Sequence, residues 1–416
     1  MLSALLLAGC GPSGNPNEVR FWAFGREGEV VQELVRDFER DNPGIPIRVQ
    51  QIPWTAAHEK LLTAFVGHAS PDMAAMGNTW VPEQVTLGAL MPLDSMVAAS
   101  PGMDSSGHFP GIWATNVVGG RLYGVPWYVD TRVMFYRTDI LARAGYTAMP
   151  TSWPEWREAM EKVVAVEGPG HYGIYLPLNE WPPQVILGLQ QGSPLVTPDG
   201  YGAFADSGFA RAFAFLVSLY HDGLAPSVSN TQVANLYQEF ARGTFAMYIT
   251  GPWNIGEFRR KMPPDVAHNW TTAPLPGPTG AASGVSLAGG SSLVVFKSSP
   301  NQARAWALIR YLSRPEVQVR FYQLTGDLPA RREAWQDSVL ARDREVQAFR
   351  IELGRAVPTP MLPEWEEVTT KIMDQTEAAV RGHVNPAGAL AVLDSQVNRL
   401  LERRRYLLAH PTASTK

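Results

Sequence analysis

The sequence predicts an α/β protein of two lobes, with the chain crossing from one lobe to the other more than once. Three observations support that reading. The chain has 416 residues, more than one hydrophobic core usually serves, so two or more domains are expected. Its opening stretch alternates strand and helix patterns, the sign of a parallel sheet with right-handed crossovers. Gly120–Leu141 then reads as a passage between two compact units. Gly124 and Pro126 punctuate its front, Trp127 and Tyr128 form an aromatic pair, Asp130 is a lone carboxylate, and Val133–Tyr136 is an apolar strand-like run. A crossing loop that exposes aromatics and an acid between two lobes is where a small ligand would sit.

The elements follow in order. Val19, Phe21 and Ala23 alternate with Arg20 and Trp22, which predicts a first strand. Gly25–Gly28 reads as a turn. Val30, Val31, Leu34, Val35 and Phe38 then recur at helical spacing until Asn42-Pro43-Gly44 stops them. Ile45, Ile47 and Val49 alternate as a second strand. Thr55 is expected to cap a helix with Leu61, Leu62, Phe65 and Val66 inward. A short strand at Met73–Met76 runs into Gly77-Asn78-Thr79-Trp80. Three successive strand ends thus carry polar or aromatic residues: Gly25–Glu27, Trp54, and Asn78–Trp80. In open α/β sheets, ligands bind beyond the carboxyl ends of the strands.

The second unit opens with a capping box, Ser152 and Glu155. Tyr172–Leu176 is a predicted strand, followed by Asn179-Glu180-Trp181-Pro182. Phe209, Ala212, Phe213, Leu216, Leu219 and Tyr220 form a core-facing helix stripe, and Val233, Tyr237 and Phe240 a second one. Thr244–Ile249 is a strand that ends in Gly251-Pro252-Trp253. Leu275–Gly284 is rich in breakers and reads as a second crossing. Leu287–Phe296 is strand-like, with Gly289 and Gly290 inside it. Ser299-Pro300 begins a helix with Trp306, Ile309 and Leu312 inward. Four helical segments finish the chain, one beginning near Trp365 and the last at Asn385-Pro386 with Leu390, Leu393, Val397 and Leu400 inward. The expected division is 18–128 with 285–329 for the N-terminal lobe and 129–284 with 330–405 for the C-terminal lobe. A leader and tether occupy 1–17, and a tail 406–416.

Composition narrows the function. The net charge of −4 offers no basic footprint for nucleic acid. Thirteen Trp is a high count, and several lie beside Gly or Pro rather than inside periodic helices, as a stacking surface requires. The single cysteine, Cys10, allows no internal disulfide. It follows Leu7-Ala8-Gly9, and Leu-Ala-Gly-Cys resembles the bacterial lipobox, whose cysteine is lipidated and held to the membrane by its acyl chains. No Lys or Arg precedes the short apolar run before it, which places the translation start upstream of Met1. No other stretch approaches the length of a membrane span.

Gly124-Val125-Pro126, a gap, then Val133-Met134-Phe135-Tyr136-Arg137 and Leu141 resembles the signature of extracellular solute-binding proteins of family 1. These are the sugar-capturing subunits of bacterial ABC importers, similar to maltose-binding protein. Gly251-Pro252-Trp253 matches the family well, and Gly326-Asp327-Leu328-Pro329 resembles its third crossing. Arg137 stands where the family usually has Asn or Asp. The resemblance implies a two-lobed periplasmic-binding-protein fold of type II, with discontinuous lobes joined by hinge crossings. It also implies a monomer outside the cytoplasm, partnered by a carbohydrate ligand and by the permease subunits of an importer.

Carried over residue by residue, the resemblance implies ligand contact at Gly25, Arg26 and Glu27, at Asn78 and Thr79, and at Asp130 in the crossing loop. It implies the same for Glu180, Trp181, Trp253 and Trp365, with Gly289, Gly290 and Arg331 close to the crossings. Trp54 and Trp127 are added from their places at a strand end and before the crossing acid. These residue types suit a sugar: indole faces pack on the C–H faces of a ring, and carboxylates or amides pair with neighbouring hydroxyls. A competing reading is a lipid-anchored glycoside hydrolase that uses Asp130 and Glu180 as its two carboxyls. Against it, there is no nucleophile elbow, phosphate loop or zinc-ligand spacing. Binding without catalysis, cofactor or metal is expected.

Overall fold

The structure is a computed structural model and describes residues 15–410. Cys10 and most of the expected leader lie outside the described residues, as do 411–416. The first six strands are β1 (Val19–Phe24), β2 (Ile47–Ile52), β3 (Met73–Gly77), β4 (Val117–Val118), β5 (Arg121–Leu122) and β6 (Gly124–Asp130). Then come β7 (Val133–Arg137), β8 (Tyr172–Tyr175), β9 (Phe245–Thr250) and β10 (Trp270–Ala273). The chain returns through β11 (Leu287–Val295), β12 (Leu328–Pro329) and β13 (Val357–Pro358).

Two main sheets result. The first runs β12-β6-β11-β3-β1-β2, with β13 added beside β11. Strand β1 is parallel to β2 and β3, as the opening strand–helix–strand pattern predicts, while β11 is antiparallel to both β3 and β6. The second sheet runs β10-β7-β9-β8. Each is flanked by helices. This is the two-lobed type II binding-protein fold. The chain passes between sheets three residues apart at Asp130 and Val133, and again ahead of β11. Those crossings are tied to each other: Thr131 Oγ1 donates to Leu287 O (2.8 Å), and Arg132 N donates to Ser286 Oγ (3.1 Å).

Packing explains the strands. Val19, Phe21 and Ala23 point into one core with Val31, Leu34 and Phe38 of the helix Gly25–Asp41. Trp22 and Phe24 are buried on the opposite face with Leu61 and Met76. Alternation with Trp22 therefore marks two apolar faces, not one wet and one dry, because helices cover both sides of a parallel sheet. A separate core around Trp156, Phe209, Phe213 and Leu393 supports the second sheet, and the apolar stripe of the helix Ser207–His221 lies in it.

Several local expectations are corrected. Gly25–Gly28 is not a turn: the helix begins at Gly25 itself, directly after β1. Gly25 has φ +54°, and a Cβ there would lie 2.4 Å from the Trp54 ring, so only glycine allows that indole against the helix start. Thr55 does not cap the next helix, which begins at Trp54 after Pro53 and buries Ala57, Leu61 and Ala64. Val66 is 77% exposed, because the true stripe is shifted around the helix. Val233 precedes the helix Leu236–Arg242, which Asn235 caps. Position 406 falls inside the helix Glu402–Ala409, so no tail begins there. Residues 357–358 pair with β11 of the first sheet.

Trp127 is also corrected. It is 1% exposed and stacks on Phe321 at 4.5 Å, with Phe21 against its edge. Strand alternation puts it on the core face while its neighbour Tyr128 reaches the cleft. Trp127→Ala should therefore cost about 3–5 kcal/mol of stability, read from the urea midpoint. A cost near zero would return Trp127 to the ligand site.

Candidate functional site

The ends of the strands meet across a hollow of about 530 Å³, within the usual range for a small-molecule site. From the first sheet's side come Arg26 and Glu27 after β1, Trp54 after β2, and Gly77–Trp80 after β3. Tyr128 and Asp130 close β6, Gly289 and Gly290 lie in β11, and Thr325 and Asp327 precede β12. The second sheet's side gives Arg132 before β7, Trp181 after β8, and Trp253 and Glu257 after β9. Thr359 and Glu366 complete the lining.

Four indoles line the hollow: Trp54, Trp80, Trp181 and Trp253. None is buried, and Trp253 is 38% exposed. Trp54 and Trp80 meet edge to face at 5.6 Å, and Trp181 rests against the buried Trp365 at 5.9 Å. These contacts hold the rings without covering their remaining faces.

The polar groups are arranged just as closely. Asp130 forms an ion pair with Arg132, whose guanidinium also lies 4.6 Å from the centroid of the Trp253 ring. Burial pushes the Asp130 carboxyl up, and Arg132 opposes that shift. Glu27 accepts from Trp54 Nε1 (3.2 Å) and Tyr128 OH (3.4 Å). Its carboxyl is pushed up by burial, and that of Asp327 well up, by burial first and then by Glu27 beside it. Thr79 Oγ1 donates to Glu366 Oε1 (2.5 Å), joining the loop after β3 to the helix Trp365–Val380 across the hollow. Asn78 is 4% exposed and donates from Nδ2 to Thr115, yet its Oδ1 has no partner. That orphan acceptor belongs to a residue of the lining.

Comparison with known proteins now bears on this arrangement. The family profile of bacterial extracellular solute-binding proteins matches residues 24–319. The chain belongs to this family. A solved structure, the sugar-binding protein MalE from the phytopathogen Xanthomonas citri, is similar at 48% identity, with TM-score 0.90, over 94% of this chain and 99% of that one. The GacH receptor of Streptomyces glaucescens, solved unliganded and with acarbose, is similar at 26% identity and TM-score 0.80, over 92% and 98%. Among curated relatives, the diacetylchitobiose binding protein DasA of Streptomyces coelicolor is 24% identical over 425 residues, covering 96% of each chain.

In this solute-binding protein the hollow brings together Arg26, Glu27, Trp54, Asn78, Thr79, Asp130, Trp181, Trp253, Gly289 and Gly290. Five other expected contacts do not line it. Gly25 stands behind Trp54 and serves it by having no side chain. Trp127 and Trp365 are core residues, each 1% exposed. Arg331 donates from Nη1 to Gly102 O (2.6 Å) and accepts no place in the lining, since the turn after β12 aims it away. Glu180 lies near Arg132, Asn230 and Tyr248, and burial pushes its carboxyl up. Gly290 has φ +128°, and a Cβ there would meet the Tyr128 carbonyl at 2.3 Å. Its part is the close approach of β11 to β6.

Sequence reasoning missed Arg132, Tyr128, Asp327 and Glu366. Each is one or two residues from a position it did select or lies in a quoted motif: Asp130, Trp127, Gly326–Pro329 and Trp365. Trp80 closed a strand-end loop already singled out. Among the described residues, no group of three or more His, Cys, Asp or Glu is placed to hold a metal.

The ion pair gives a direct test. Arg132→Met leaves Asp130 partly buried without its cation and should cost about 3 kcal/mol, measured by urea denaturation. Adding Asp130→Leu should recover most of that loss. A single-variant cost below about 1 kcal/mol, as for an exposed pair, would show that the two groups are not coupled.

Proposed function

We propose that this protein captures a sugar, a di- or oligosaccharide, in the cleft between its lobes and delivers it to the permease subunits of an ABC importer. The observation that carries the reading is the convergence of four partly exposed indoles on one hollow that also holds carboxylates and an unpaired amide oxygen. Ring faces and hydroxyl rims need those two kinds of surface together. The names of the similar proteins, sugar-binding and diacetylchitobiose binding among them, support the same class of ligand. Several rings of contact fit two or more sugar units better than one. A micromolar complex corresponds to roughly 8 kcal/mol, within reach of such a site.

The two lobes act as jaws. Residues 18–128 with 285–329 form most of one and 129–284 with most of 330–409 the other, residues 357–358 joining the first sheet, with the crossings as the hinge. A ligand that touches both lobes favours the closed form by its differential affinity for that form. Thr79 and Glu366, bonded across the hollow, are the pair that meets on closure.

Binding without turnover is the better reading of the acids. Asp130 is tied to Arg132, and Glu180, the second carboxyl a hydrolase would use, does not line the hollow. The chain works outside the cytoplasm as a monomer held by a lipid on Cys10. Among the described residues no helix is long and apolar enough to cross a membrane.

Two experiments test this. In a titration with the disaccharide that gives the largest thermal shift in a sugar panel, Trp253→Ala should weaken binding on the order of 30-fold while leaving the fold intact. An unchanged titration would remove its stacking role, and product formation from the disaccharide would favour a hydrolase. Cys10→Ser should move the protein from the membrane to the soluble fraction; continued sedimentation with membranes would mean another anchor.

A further inference from the structure

Most of the acids that line the cleft have a counterpart. Asp130 has Arg132, Glu257 has Arg260 and Lys261, and Glu366 accepts from Thr79. Glu27 and Asp327 are different. They share one wall of the cleft, each close enough to disfavour the other's charge, and neither forms an ion pair with any Lys, Arg or His among the described residues. Asp327 is only 3% exposed, yet it lies in the lining. The groups that face the pair are neutral or acidic: Trp54 and Tyr128 against Glu27, the Thr325 hydroxyl beside Asp327, and Asp130 farther along the same wall. Arg26, next in sequence to Glu27, is exposed and donates instead to the Leu324 carbonyl (3.3 Å).

Two carboxyls in one poorly hydrated site cannot both be ionised without a positive charge. Burial and the neighbouring acid both favour a proton on the pair when no cation is bound. The hollow opens onto the pair, so a charged N–H donor that enters it can reach both carboxyls. Two carboxylates are too few to hold a metal ion here, and no third ligand joins them.

We propose that Glu27 and Asp327 form a subsite for a positively charged nitrogen, so that the cleft takes an amine-bearing saccharide in preference to its neutral counterpart. This deepens the saccharide reading and rests on it. The exchange balances. An ammonium group enters with one positive charge, its N–H bonds point to both carboxylates, and the proton on the pair leaves to solvent. Binding of the amine therefore releases one proton, and binding of the neutral sugar releases none.

The test uses the intact protein and calorimetry with maltose, trehalose, cellobiose and sucrose, each beside its single-amino derivatives. At least one amino derivative should bind about tenfold or more tightly than its parent. Repeating that titration in two buffers of different ionisation heat should show one proton released. In Glu27→Gln and in Asp327→Asn, the ratio of amine to parent affinity should fall toward one. Either variant suffices if the other fails to fold, and proton release is read on the unaltered protein. The inference is overturned if parents bind but no amino derivative binds more tightly. If neither parents nor derivatives bind, the saccharide reading falls and takes this one with it.

Discussion

The structure depends on one arrangement of backbone hydrogen bonds. Strands β12, β6 and β11 lie side by side, with Val129 opposite both Gly290 and Leu328. These are the segments by which the chain leaves the first sheet, returns to it and leaves again. A hinge made of neighbouring strands resists twisting better than separate threads, because each strand's bonds fix the direction of the next. It also sets where a ligand can go. Tyr128 and Asp130 at the end of β6, Gly289 and Gly290 in β11, and Asp327 just before β12 all reach the same hollow because their strands are adjacent.

Close approach is what that arrangement demands of the sequence. Gly290 meets the Tyr128 carbonyl at a distance no side chain tolerates, and Gly25 does the same for the Trp54 ring. Gly25 lies behind the lining and Gly290 within it. Each lacks a Cβ, so that a neighbour lining the hollow can stand close. Residues picked from sequence as contacts thus divide into those that touch the hollow and those that make space for it. The two kinds share the same loops, since a loop that brings a ring to a cleft must itself be packed.

Much of the fold was legible because its signals are local. The opening strand, helix and strand follow from periodicity and from the Asn42-Pro43-Gly44 stop. The Ser152 cap and the stripe from Phe209 to Tyr220 hold in the same way. Legibility failed where the outcome depends on a partner far along the chain. Nothing near Trp127 says that Phe321 will stack on it, and nothing near Trp365 says that Trp181 will lie against its edge. An indole beside Gly or Pro reads the same in sequence whether it faces a cleft or a core. Likewise the face of the helix Trp54–Val66 was misjudged, because small Ala57 and Ala64 carry the contact and the larger Val66 does not. Asp130 was found, but its partner Arg132 was not, since which side chain meets the crossing acid is set by how the loop turns.

The charge pattern of the cleft separates two jobs that a list of lining residues would merge. Asp130 and Arg132 flank the point where the chain changes sheets, and Arg132 also lies over the Trp253 ring from the second lobe. A partly buried ion pair of this kind contributes little net stability once desolvation is counted, but it narrows the geometries in which the group can be satisfied. The pair therefore serves to fix the angle of the crossing and, through the guanidinium, the position of one stacking surface. Its charges are already balanced, and a ligand would gain little from either. Glu27 and Asp327 carry the opposite signature. Asp327 stands at the third crossing, but neither acid has an ion-pair partner among the described residues, so the charge they lack would come from outside the protein. In a cleft that closes around what it holds, a balanced pair supports the shape of the site, and an unbalanced one selects what enters it.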